Sequence, residues 1–345
     1  MSNKTIHLTG TINTIQPYAS ATPAMANSVK KTEAMPVTRM LRDGNMVLAI
    51  LSSGIKGSLR RAAADVGFLY QQAITGEEKP LSLGEHKLNR IGGVKNKGDS
   101  DRVTPDDLEK INNSQLIIAL FGAGQPFIAG NLSVETAYAS HNNGFSVDGV
   151  RSDDFLRNPD LLSVLDESSL AEFLATTESV GEASKLKKER DVLIKELYKA
   201  KDSGEKEQVN KKLKALDTKL EGFKNVSTQL PLSGYETIPA GESLTHIMRL
   251  SQKDGDLLQL GFLLEVLDYF AFNPHMGAKR SNGCGEVSLR YDVTSTGYGC
   301  EKEDLGSIEV IPHQGVVVTG DYLISARKAY KDAAAAKQFN FGEIA

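Results

Sequence analysis

Cysteine is nearly absent from this chain: Cys284 and Cys300 are the only two in 345 residues. Two thiols make neither a disulfide framework nor a four-ligand zinc site. Long apolar runs are missing too, and nothing approaches the roughly 18 consecutive residues that a spanning helix needs. The first residues, Met1 to Leu8, go straight into an apolar/polar alternation, without the apolar stretch and cleavage site of a signal peptide. These absences predict a cytoplasmic protein with no membrane partner, no cofactor and no bound metal. Nor is one sign of charge in excess. Lys and Arg number 40 against 44 Asp and Glu, a net −4, whereas a free-standing nucleic-acid binder is usually basic.

Missing motifs exclude further chemistry. The sequence has no Gly-x-Ser-x-Gly elbow, no glycine followed by Lys-Ser or Lys-Thr, and no strand–glycine–helix unit of dinucleotide type. The six histidines (His7, His86, His141, His246, His275 and His313) are scattered, none at i, i+4 from another, so a helical metal pair is ruled out. Ser53-Gly54-Ile55-Lys56 fits Ser-x-x-Lys, but its Lys-Thr-Gly and Ser-Asp-Asn companions are absent.

What is present is an ordinary globular composition, 40% hydrophobic and 24% charged, on a chain long enough for one large core with insertions or for two lobes. Residues 6–15 alternate as a strand, and Leu244, His246, Met248 and Leu250 as another. Met46 to Leu51 is a short apolar run ahead of a helix that begins near Ser52 and Ser53, serines suited to capping it. Residues 17–45 and 75–113 read as polar loops. Leu257 to Phe272 is a strongly apolar helix, a last strand lies near Val316, and a final helix runs from Tyr322 to about Lys337. The pattern predicts an α+β fold, an antiparallel sheet with helices on one face, bearing large insertions.

The total of −4 hides local fields. Residues 185–224 hold 13 Lys and Arg against 8 Asp and Glu, leaving −9 for the rest. Their apolar residues at Leu186, Leu193, Leu197, then Val209, Leu213, Leu216 and Leu220, predict a helical hairpin turning at Gly204. Such a hairpin either packs as a solvated pair or lays its basic face along nucleic acid. Two glycine-bearing elements also carry cations. Gly54, Gly57 and Ser58 open a helix whose first N–H groups lack partners, with Lys56, Arg60 and Arg61 beside them. Gly277-Ala278-Lys279-Arg280-Ser281-Asn282-Gly283-Cys284-Gly285 lets a backbone come close to a sugar-phosphate chain while two cations and two hydrogen-bonding side chains face it. Each alone is equally a tight turn with solvated charges; two in one chain point to nucleic acid.

The ordered series of these segments resembles the RAMP superfamily, and within it the repeated backbone subunit of class 1 CRISPR effector complexes, the seventh numbered Cas family. Ser53 to Arg60 is similar to that family's Gly-Ser-x-Leu-Lys-Gly-x-Leu-Arg helix start. Val147-Asp148-Gly149-Val150-Arg151 looks like the entry to its thumb. Tyr235-Glu236-Thr237-Ile238-Pro239-Ala240-Gly241 resembles its Glu-x-Val-Pro-Ala-Gly, and the 277–285 loop its glycine-rich loop. The Lys-rich helical insertion looks most like the type IV branch. The resemblance implies a ferredoxin-like or RRM-like palm from residues 1–150 and 231–345, and a thumb over 151–230 that carries the hairpin, about 185–224. It implies copies stacked head to tail along one CRISPR RNA (crRNA), a complementary DNA or RNA target, and other effector subunits as partners. Ser53, Lys56, Arg60, Arg61, Lys279, Arg280, Ser281 and Asn282 would hold the guide backbone, with Arg151 at the thumb base. Lys30, Lys31, Lys95 and Lys97 are further candidate contacts.

One departure bears on catalysis. Where RNA-cleaving type III relatives place an aspartate ahead of Pro-Val, this chain reads Lys31-Thr32-Glu33-Ala34-Met35-Pro36-Val37, with Ala34 at the aspartate's position. The expectation is a non-catalytic subunit. Its rivals are an RNA-cleaving subunit using Glu33 or Asp43 with a divalent ion, and a coiled-coil adaptor that dimerises through the hairpin.

Overall fold

The structure is a computed structural model that describes residues 3–20, 35–76, 82–92, 104–124, 127–140, 146–148, 159–199, 203–221, 234–253 and 255–341. In chain order the strands are β1 (Asn3–Thr14), β2 (Arg39–Arg42), β3 (Asn45–Ile50), β4 (Ala123–Gly124), β5 (Phe127–Ile128), β6 (Leu132–Val134), β7 (Ala137–Ala139), β8 (Ser146–Asp148), β9 (Tyr235–Thr237), β10 (Ser243–Lys253), β11 (Val287–Gly297), β12 (Glu303–Ile311) and β13 (Gly315–Thr319). The α-helices are α1 (Ser52–Thr75), α2 (Leu83–Ile91), α3 (Pro105–Ser114), α4 (Leu116–Phe121), α5 (Glu167–Lys199), α6 (Ser203–Glu221), α7 (Leu258–Phe272) and α8 (Asp321–Ala335). None is long and apolar enough to cross a membrane, among the described residues.

The chain divides into two units: 1–29, 34–148 and 235–345 form one, and 30–33 with 149–234 the other. In the first, the main sheet runs β13-β12-β11-β1-β10-β7-β3-β2, with β6 also on β10, and every pairing is antiparallel. Period-two alternation builds it. Ile6, Leu8 and Ile12 of β1, Leu244, Met248 and Leu250 of β10, and Leu289, Tyr291 and Val293 of β11 are buried, and the immediate sequence neighbours of each point the other way. Helices α1, α7 and α8 pack together, α7 carrying buried Phe262, Leu263, Leu264, Val266 and Leu267 into the same core. A helix whose only charges are Glu265 and Asp268 has little wet face to offer and must be largely enclosed. The fold is therefore α+β. His246 and Tyr291 meet in the core across Gly10, Nδ1 to hydroxyl 2.7 Å apart.

Three local expectations need correcting. Residues 75–113 are not simply loop: α2 and α3 lie there, each begun by a capping box, Ser82 with Glu85 and Thr104 with Asp107. Likewise β2 and the start of β3 fall inside the expected 17–45 loop. Gly204 is not the hairpin's turn but part of the first turn of α6. In the second unit α5 and α6 pack on each other, tied by Arg190 Nε to Asp217 Oδ1 at 2.7 Å.

Candidate nucleic-acid interface

The glycine-rich loop is held at its neck by backbone bonds. Ala278 N–H donates to Ala19 O at 2.8 Å, Gly285 N–H to Pro17 O at 2.8 Å, and Met276 N–H to Gly285 O at 2.8 Å. Glycine is required at this neck. Gly277 (φ 81°) and Gly285 (φ 93°) take left-handed backbone, and a Cβ would come within 2.8 Å of the Tyr18 ring and 2.1 Å of Met276 O, respectively. Underneath, Cys284 is buried with Ala19 and Tyr235. Pinning the neck leaves the tip in solvent: Lys279, Arg280, Ser281 and Asn282 are all exposed. The Lys279 ammonium lies 5.3 Å from the Tyr235 ring centroid, and Asn282 Nδ2 donates to the Tyr235 hydroxyl at 3.4 Å. Ser281 Oγ is 3.3 Å from Asn282 Oδ1.

Helix α1 supplies the facing wall. Its N-cap is Leu51, without a side-chain bond, so the expected serine cap is absent and Ser53 stands exposed in the first turn. Successive residues on this helix point about 100° apart, and that rotation separates the three cations. Arg60 is buried. Its Nε donates to Asn89 O (2.8 Å), Nη2 to Leu88 O (2.7 Å), and Nη1 to Gly122 O (2.8 Å) and Phe121 O (3.4 Å). Burial lowers its pKa to about 10. The guanidinium is a structural clasp between α1, α2 and α4, which corrects the expectation that Arg60 holds RNA. Lys56, one turn earlier, is half-buried beside it, its ammonium held low by burial and then by the Arg60 charge.

Arg61 turns the other way. With Ser58, whose hydroxyl accepts from Arg61 Nη2 at 3.0 Å, it enters a cleft of about 270 Å³. The opposite wall is His275, Gly277 and Arg280 from the glycine loop, and Arg90 and Asn273 also reach it. The two basic elements expected from the sequence thus share one cleft, through Arg61 and Arg280. Asp65 is its acid, and it pairs with Arg90. What remains, two guanidiniums, a histidine and neutral hydrogen-bonding groups, suits a phosphodiester. Burial, followed by the Arg280 charge, holds the His275 imidazole below its usual value, partly offset by Glu286. Burial and then Asp65 push the Tyr269 phenol up.

Lys30, Lys31, Lys95, Lys97, Arg151 and Glu33 lie outside the described residues. Asp43 sits in the exposed β2–β3 turn at φ 50°, 3.9 Å from Arg42 Nε. Among the described residues no three His, Cys, Asp or Glu side chains gather as a metal site.

The family model described as the RAMP superfamily matches residues 33–288. The chain belongs to the RAMP superfamily. No curated protein matches it. Among solved structures, a chain of a "Type IV-B CRISPR Complex" is similar, with 16% identity and a TM-score of 0.41 over 86% of this chain and 90% of that one. The matched RAMP interval includes both walls of the cleft.

Sequence reasoning missed Arg90, His275 and Asn273. The Ser82-x-x-Glu85 capping box was a readable signal for α2, hence for Arg90 near its last turn. His275 and Asn273 carried no comparable signal; only the bend between α7 and the loop turns them inward.

Proposed function

We propose that this RAMP chain is a non-catalytic backbone subunit of a CRISPR ribonucleoprotein effector complex, of the type IV branch. Several copies stack head to tail along one crRNA and present it for pairing with a complementary target. Each copy grips the sugar-phosphate backbone and leaves the bases to read sequence, which requires cations and hydrogen bonds without base-edge specificity. The observation that carries this reading is the convergence of Arg61 and Arg280 on one cleft, beside the exposed Lys279. A net charge of −4 is no obstacle, because a local cationic cleft sets the field that a strand meets. Other effector subunits supply any cleavage or unwinding.

Filter binding of a guide-length RNA across a salt series tests it. Each lost phosphate contact lowers the log–log salt slope by about 0.7 for a single strand, so Lys279→Glu/Arg280→Glu should weaken binding at every sequence and flatten the slope. Unchanged affinity and slope would overturn the reading. Regularly spaced products from labelled complementary RNA with magnesium, abolished by Asp43→Asn or Glu33→Gln, would instead establish a cleaving subunit.

A further inference from the structure

The hairpin unit carries a second surface, unlike the cleft in chemistry. Between α5 and α6 lies an open groove of about 580 Å³, floored by Leu186, Val192, Leu193, Ala215 and Leu216. Lys188, Lys212 and Lys219 stand exposed along it, against one acid, Glu189. No described side chain of either helix is fully buried; the seam leucines are largely covered but not enclosed, and Val192 is 54% exposed. Two helices meeting along one seam leave an apolar stripe that a third would cover, and helices pack at axis separations near 8–10 Å, a fit for such a furrow.

From this we infer that the α5–α6 groove is a docking site for an amphipathic helix of another protein, one whose apolar stripe is flanked by Asp and Glu. The rim charge decides the occupant. A second copy of the hairpin would bring lysines against lysines. A nucleic-acid strand would satisfy the rim but leave the leucine floor uncovered. An acidic amphipathic helix satisfies both, burying the floor and pairing with three ammonium groups at the edge. The inference goes beyond RNA binding and stands if the cleft reading fails.

Fluorescence anisotropy on the full-length chain tests it with two labelled synthetic helices that share one leucine stripe, flanked by glutamates in the first and lysines in the second. The acidic helix should bind at least about tenfold tighter, the sum of three modest exposed ion pairs. Lys188→Glu/Lys212→Glu/Lys219→Glu should invert that preference. Val192→Asp/Leu216→Asp should abolish binding of both, while Val192→Ser, which keeps the seam, should weaken it partially; circular dichroism checks that helix content holds in each. Oligouridylate should not displace the acidic helix. Equal affinity for the two helices, displacement by oligouridylate, or a dimer in sedimentation that Val192→Asp dissolves would each overturn the assignment.

Discussion

The palm and the hairpin insertion show two ways of using apolar residues. In the palm, β1, β10, β11 and α7 each contribute side chains with no exposure at all, such as Leu8, Leu250, Val293 and Leu263. In the hairpin, seven-residue spacing is at least as regular, yet no described side chain of α5 or α6 is fully buried. The difference is geometric. A sheet face and three helices enclose a volume, whereas two helices share only a line. Periodicity alone reports that a stripe exists; enclosure decides how much it stabilises.

The sharpest way to break that contrast is truncation. Leu263→Ala in α7 should cost about 3 kcal/mol or more, as full burial implies. Leu216→Ala in α6 should cost less, about 1–2 kcal/mol, since it is only partly buried and the site opens to solvent. Chemical denaturation measures both, and similar losses would erase the distinction. Next in size is a loss of stability between pH 6.5 and 4, to which a buried histidine of the palm contributes. Burial lowers the His246 pKa to about 4 from 6.5. Between those values the unfolded chain binds a proton that the folded chain refuses, so stability falls as pH drops from 6.5 towards 4. The loss is about 3 kcal/mol. His246→Gln should flatten that slope in denaturation curves at pH 7 and pH 4. Smallest, and confined to one helix, is the split between neighbouring arginines. Arg60→Met should cost about 2 kcal/mol by stranding buried carbonyls while leaving RNA affinity intact. Arg61→Met should do the reverse, lowering affinity with no change in the denaturation midpoint. The same phenotype from both would dissolve the division of labour.

How far the sequence revealed this depended on whether a pattern repeats. Strands β1 and β10 and helix α7 announce themselves because alternation and continuous apolarity extend over ten or more residues. Helices α2 and α3 are short and bury little, Leu88, Asn89 and Ile111, so polar composition outweighed their caps. Strand β12 was not anticipated; its ladder with β11 shifts register between Val293 and Thr294. In the site, residue types were legible and directions were not. Arg60 and Arg61 are alike in a string of letters; the carbonyls of Leu88, Asn89 and Gly122, brought in from distant segments, claim one and leave the other to the cleft.

The short β8–β9 ladder sets Asp148 opposite Tyr235. Everything between those two positions is therefore a detour that begins and ends at a single doorway. A longer, shorter or wholly different detour would meet the same two-stranded ladder, which stands apart from the main sheet. A change in the length or surface of this stretch therefore need not disturb the main sheet or its cationic cleft.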